Sequence, residues 1–81
     1  MYLDFGYDTP YGYKEEIIEV DEDELKEYAV EEICRQEKIQ YSADVEKMAN
    51  VFFREYYDVK DFIENNGLWS DFKTWFAENK L

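Results

Sequence analysis

Between residues 15 and 32 the chain sets ten carboxylates against a single lysine, yet threads apolar residues among them at structural spacing. This combination constrains the fold more than any other feature. A run of like charge without apolar residues stays solvated and unstructured. Here Ile17, Ile18, Val20, Leu25, Tyr28 and Ala29 interrupt the acids, so the charge is expected on a folded scaffold. A hydrophobic share of 46% and an aromatic share of 20% argue against disorder despite a net charge of -12. Eighty-one residues support one small acidic domain, residues 1–81, with one core and little margin.

The order of local signals predicts an α+β fold, an N-terminal β-hairpin packed on three or four short helices. Leu3, Phe5 and Tyr7 alternate with Asp4, Gly6 and Asp8, the period of a half-buried strand. Asp8-Thr9-Pro10-Tyr11-Gly12 supplies turn chemistry, and residues 13–20 read as a second strand. A lone hairpin is marginal in water, so helices must cover one face. Asp21 and Glu24 have the spacing of a capping box, with Val20 and Leu25 as a hydrophobic staple. Leu25, Tyr28, Ala29 and Ile33 are the expected buried stripe of this helix, which should end between Glu37 and Gln40. Ser42 reads as the next cap. Val45, Met48, Ala49, Phe52, Tyr56 and Val59 recur at helical spacing and are expected in the core. Val45–Ile63 fits one long helix or two, with Asp58 as a second cap in the broken version. Asn65-Asn66-Gly67 is a helix stop, and Leu68 to Phe76 describes an aromatic last helix.

Much chemistry is excluded by inventory. No histidine is present, which removes Ser-His-Asp and Cys-His catalysis and any histidine-bearing metal site. The only cysteine, Cys34, can form neither an intramolecular disulfide nor a zinc site, and is expected to pack as a small hydrophobe. Asp21-Glu22-Asp23-Glu24 lacks the glycine and closing acid of a calcium loop, and neighbouring helical residues cannot converge on one ion. Hence no enzyme activity, cofactor or metal is expected. No basic region precedes an apolar run at the N-terminus, so a signal peptide is not expected, and the apolar stretches fall far short of a membrane span. The sign of the charge disfavours direct contact with nucleic acid or anionic lipid. Cysteine usage fits a cytoplasmic setting.

Charge is placed unevenly. Residues 1–39 hold thirteen acids and four bases, a net of -9, whereas residues 40–81 hold eight and five, a net of -3. At 100° per residue, Asp23, Glu24, Glu27 and Glu31 fall on one arc of the first helix, opposite Leu25, Ala29 and Ile33. Residues 22–32 carry roughly one net charge per 3 Å of helix axis, close to the ~3.4 Å spacing along one DNA strand. Pairs Glu22–Lys26 and Glu31–Arg35 are placed to offset the Glu27–Glu31 repulsion. Glu15, Glu16 and Glu19 extend the acids into the second strand, where hairpin register decides whether they join the same face. Solvated acidic helix faces often serve only solubility.

The aromatic residues offer a second surface. Phe52, Tyr56, Phe62, Trp69, Phe72 and Phe76 are expected inside, while Phe53, Tyr57 and Trp75 lie off the main stripes and are candidate contacts. Tyr11 and Tyr13 at the hairpin turn are further candidates, tyrosine being common in contact patches. Two functions compete. In one, a non-catalytic inhibitor or modulator presents Glu15, Glu16, Glu19, Asp23, Glu24, Glu27 and Glu31 to a basic nucleic-acid-binding protein, imitating its polyanion. In the other, an adaptor or self-associating structural module binds through the exposed aromatics. In length, acidity and lack of catalytic apparatus, the chain resembles small phage-encoded host-defence inhibitors, including anti-CRISPR proteins. That resemblance implies a nuclease-effector partner in a bacterial cell, and it transfers no individual residues.

Overall fold

The alternation at the N-terminus becomes strand β1 (Tyr2–Thr9), paired antiparallel with β2 (Gly12–Glu19). The computed structural model describes residues 1–80. Pairing runs from Tyr2↔Glu19 to Thr9↔Gly12, so Pro10 and Tyr11 form the turn. Gly12 there has a φ of 122°, a region closed to most side chains. The Thr9 hydroxyl donates to the Gly12 carbonyl at 2.6 Å and closes the turn. Leu3, Phe5 and Ile18 occupy the inner face; Phe5 is buried with its ring 5.1 Å from that of Phe76. The side chain of Tyr7, third in the predicted alternation, lies outside the described residues. Met1 and Val20 exchange backbone hydrogen bonds of 2.7 and 3.0 Å that extend the ladder to the first helix.

Four helices follow: α1 (Glu22–Glu37), α2 (Ala43–Glu55), α3 (Val59–Asn65) and α4 (Trp69–Lys80). The fold is therefore α+β, a hairpin followed by four helices. The capping box forms as the spacing predicts, with the Glu24 carboxylate accepting from the Asp21 N–H at 3.2 Å. Val20 and Leu25, the staple pair, are both fully buried. Lys38 ends α1 in the left-handed conformation, φ 56°. Ser42 caps α2 by accepting from the Val45 N–H at 3.2 Å. The segment 45–63 is two helices. Asp58 restarts the chain by accepting from the Lys60 N–H at 2.8 Å. Gly67, φ 64°, closes α3.

Helix α1 sits centrally, packed against α2, α3 and α4. Its Leu25, Tyr28 and Ala29 are buried as the stripe predicts, joined by Val30 and Cys34, while Ile33 is only half-buried. Phe72 of α4 is fully buried, with its ring 5.6 Å from Tyr28, 6.2 Å from Trp69, 6.0 Å from Trp75 and 5.9 Å from Phe76. Phe76 relays this cluster to Phe5 of the hairpin. Such tilted and edge-on ring pairs each contribute about 0.5–1.5 kcal/mol beyond their buried area.

Helix α2 faces differently from its pattern. Spacing predicts Met48, Phe52 and Tyr56 inside, but they are 73%, 45% and 75% exposed. Phe53, predicted as an exposed contact, is buried instead, with its ring 5.4 Å from Phe52 and 5.6 Å from Phe62. The reason lies in the neighbours. Apolar side chains surround more than half of α2, whereas α1 and α3 cover one side only. Phe53 is the side chain that reaches Phe62 of α3, and Ala49 is buried at the edge of the same side. Substituting Phe53→Ala is expected to cost about 3–5 kcal/mol, and Phe52→Ala less than half as much, read from urea melts at low protein concentration.

Candidate functional site

The acidic row and the apolar excess of α2 lie on separate surfaces. On one flank of α2, a cleft of about 530 Å³ runs between α1 and α2. Asp23, Glu27 and Glu31 enter it from successive turns of α1, since residues four apart stack on one face. Glu46 enters from α2, so four carboxylates share the cleft with Lys26 and Asn50. The Tyr41 hydroxyl donates to Glu46, which fixes that carboxylate at the cleft edge. This hydrogen bond is the main reason the Tyr41 phenol is held above its ordinary pKa.

Not every predicted acid joins the cleft. Glu24 turns back to the Asp21 N–H and serves the helix cap. Strand register separates the others. Glu16 stands opposite Phe5 and so belongs to the inner face, whereas Glu15 and Glu19 stand opposite Gly6 and Tyr2 on the outer one. The outer face turns away from the helices, because Phe5 on the other side meets Phe76. Glu15, Glu16 and Glu19 therefore do not form a single face, as the period of two requires.

Ion pairing also departs from the simple spacing rule. Arg35 bonds Glu32 at 2.5 Å rather than Glu31, and Lys26 forms no ion pair among the described residues. Glu31 likewise forms no ion pair among the described residues. Glu27 bonds Lys80 of α4 at 3.0 Å, and the Lys80 ammonium also lies 5.8 Å from the Trp75 ring centre. The bridge is partly exposed, so its contribution to stability is about 0–1 kcal/mol. Two of the six acids between residues 22 and 32 are thereby paired, which lowers the net charge density along α1. Glu46, which the spacing argument did not include, restores one charge from across the cleft.

On the opposite flank, Ile33, Ile39, Val45, Met48, Val51, Phe52 and Tyr56 line an apolar groove of about 800 Å³, with Lys47 its one charged residue. Of the aromatic residues predicted as contacts, Tyr11 and Tyr13 are exposed at the hairpin tip. Tyr13 lies across Gly6, where a Cβ would meet its hydroxyl. Tyr57 is half-buried, stacked 5.7 Å from Phe52, and its hydroxyl accepts from Asn65 at 2.9 Å. Trp75 is half-buried between Tyr28 and Phe72. Neither is a free-standing contact. The groove residues were missed because their spacing equals that of a core stripe. A usable signal was the surplus: Val51 and Phe53 add apolar side chains outside that stripe.

Among the described residues, no three carboxylates or thiols converge as metal ligands. No helix is long and apolar enough to cross a membrane. No protein-family model matches the sequence, and no curated protein or solved structure is significantly similar to it.

Behind the cleft, α1 buries a polar pair. Glu32 is buried and accepts from Arg35 and, at 3.3 Å, from Gln36. The nearby Tyr28 hydroxyl is buried with no hydrogen-bond partner. Burial chiefly raises its pKa above 10.0, helped by the negative charges of Glu32 and Asp71 and opposed by Arg35. An unpaired buried hydroxyl is costly, so Tyr28→Phe is expected to stabilise the protein by about 1 kcal/mol. The pH dependence has a definite sign. Because the folded phenol holds its proton longer than the unfolded one, the contribution of Tyr28 to stability is constant below pH 10.0 and falls above it. Tyr28→Phe should reduce that alkaline loss, measured by urea melts on both sides of pH 10.0.

Proposed function

We propose that this chain is a non-catalytic inhibitor or modulator. It presents its α1–α2 acidic cleft to the Lys/Arg-lined surface of a nucleic-acid-binding protein and excludes the natural polyanion by competition. The observation that carries this reading is the meeting of Asp23, Glu27 and Glu31 with Glu46 in one cleft. Carboxylates held on two packed helices keep fixed spacing, which a disordered acidic tail cannot do. Complementary charge steers such a partner into register and raises the association rate. A nuclease effector in the cytoplasm of a bacterial cell is the partner class this reading names, in keeping with small phage-encoded inhibitors. The lone buried thiol, Cys34, is compatible with a reducing compartment. The hairpin acids Glu15 and Glu19 take no part in the cleft, and their role is confined to long-range attraction.

The adaptor reading rests on a different observation, the uncovered groove of Met48, Phe52 and Tyr56, and concerns a separate surface. The two are distinguished by salt. Capture of bacterial proteins on the immobilised chain should be strong at low salt and lost at high salt. Duplex DNA should displace the captured protein. Combining Asp23→Asn, Glu27→Gln and Glu31→Gln should weaken capture about tenfold or more, equivalent to about 1.4 kcal/mol, with the circular dichroism spectrum unchanged. Captured proteins that resist salt, DNA and the triple substitution alike contradict the reading.

A further inference from the structure

The groove on α2 has a charge environment unlike the rest of the molecule. Residues 33–56, which contain all of its lining, carry Arg35, Lys38, Lys47 and Arg54 against Glu37, Asp44, Glu46 and Glu55. Their net charge is zero in a chain of net -12. The entire acidic excess therefore lies outside this segment. A basic partner gains little by docking here, whereas a second acidic copy is repelled least at this surface.

From this neutrality and from the apolar area left open, we infer that the groove is covered by a second copy of this chain, α2 against α2 in antiparallel orientation. Large aromatic side chains bury about 150–250 Å² each. Met48 and Tyr56 are 73% and 75% exposed, and Ile39, Val51 and Phe52 add to them, leaving several hundred Å² uncovered. That is on the order of the ~800 Å² per partner of a standard interface. A two-fold axis between Met48 and Phe52 brings Met48 against the second copy's Phe52, and the reverse, a favourable sulfur–aromatic contact. Antiparallel packing also sets the first turn of one α2 helix beside the last turn of the other. The helix dipoles then oppose end to end. This contact is independent of the acidic cleft, which stays open on the far flank of α2.

Sedimentation equilibrium of the whole chain tests the inference. The wild type should pass from a one-chain to a two-chain mass as concentration rises through the micromolar range. Added salt should strengthen the dimer, because it screens repulsion between acidic copies; this is the reverse of its effect on cleft binding. Met48→Glu combined with Tyr56→Glu should abolish the two-chain mass while leaving the circular dichroism spectrum intact, both side chains being largely exposed. The triple cleft substitution should leave the dimer in place. A wild type that stays at one-chain mass at high concentration overturns the inference. So does a two-chain mass that survives Met48→Glu/Tyr56→Glu, or one that salt dissolves.

Discussion

The contact on which the rest depends is the seating of Phe72 against Tyr28, with Trp69, Trp75 and Phe76 around it. It joins the last helix to the first, and Phe76 carries the same cluster to Phe5 of the hairpin. Without it α1 would lose one of its three helical neighbours, and the hairpin its aromatic anchor. The charge problem is solved in the same place. Buried area on one side of α1 offsets the repulsion among acids on the other, so an anionic helix can stay ordered. The unpaired Tyr28 hydroxyl is the cost of using a tyrosine in this cluster.

Placing α1 centrally has a second consequence. One of its faces is taken by α3 and α4, and α2 packs beside its acidic face. The carboxylates of α1 therefore line a cleft rather than a convex solvent face. Pairing of Glu27 with Lys80 and of Glu32 with Arg35 weakens the resemblance of α1 to a nucleic-acid strand. What the arrangement retains is local: Asp23, Glu31 and Glu46 around one opening.

Local signals were the legible part of the sequence. Asp21 and Glu24, Ser42, Asp58 and Gly67 mark helix ends through hydrogen bonds within a few residues, and each acts where its spacing says. The hairpin and its turn were readable for the same reason. Orientation was not. Which side of α2 faces inward depends on α1 and α3, far away in sequence, and Phe53 displaced Phe52 because it reaches Phe62 as well. The acids show the same limit. Asp23, Glu27 and Glu31 were aligned by helical period alone, but Glu15, Glu16 and Glu19 required the register, and Glu46 required the tertiary packing.

Two chemically distinct surfaces on opposite flanks of one short helix are the centre of this account. The most direct test is an assigned amide and methyl NMR spectrum followed in two titrations, dilution of the protein and addition of poly-lysine. Dilution should move signals of Ile39, Met48, Val51, Phe52 and Tyr56, while poly-lysine should move those of Asp23, Glu27, Glu31 and Glu46. Shifts confined to these two separate sets support the account. One shared set of shifts, or poly-lysine acting mainly on the outer strand acids Glu15 and Glu19, contradicts it.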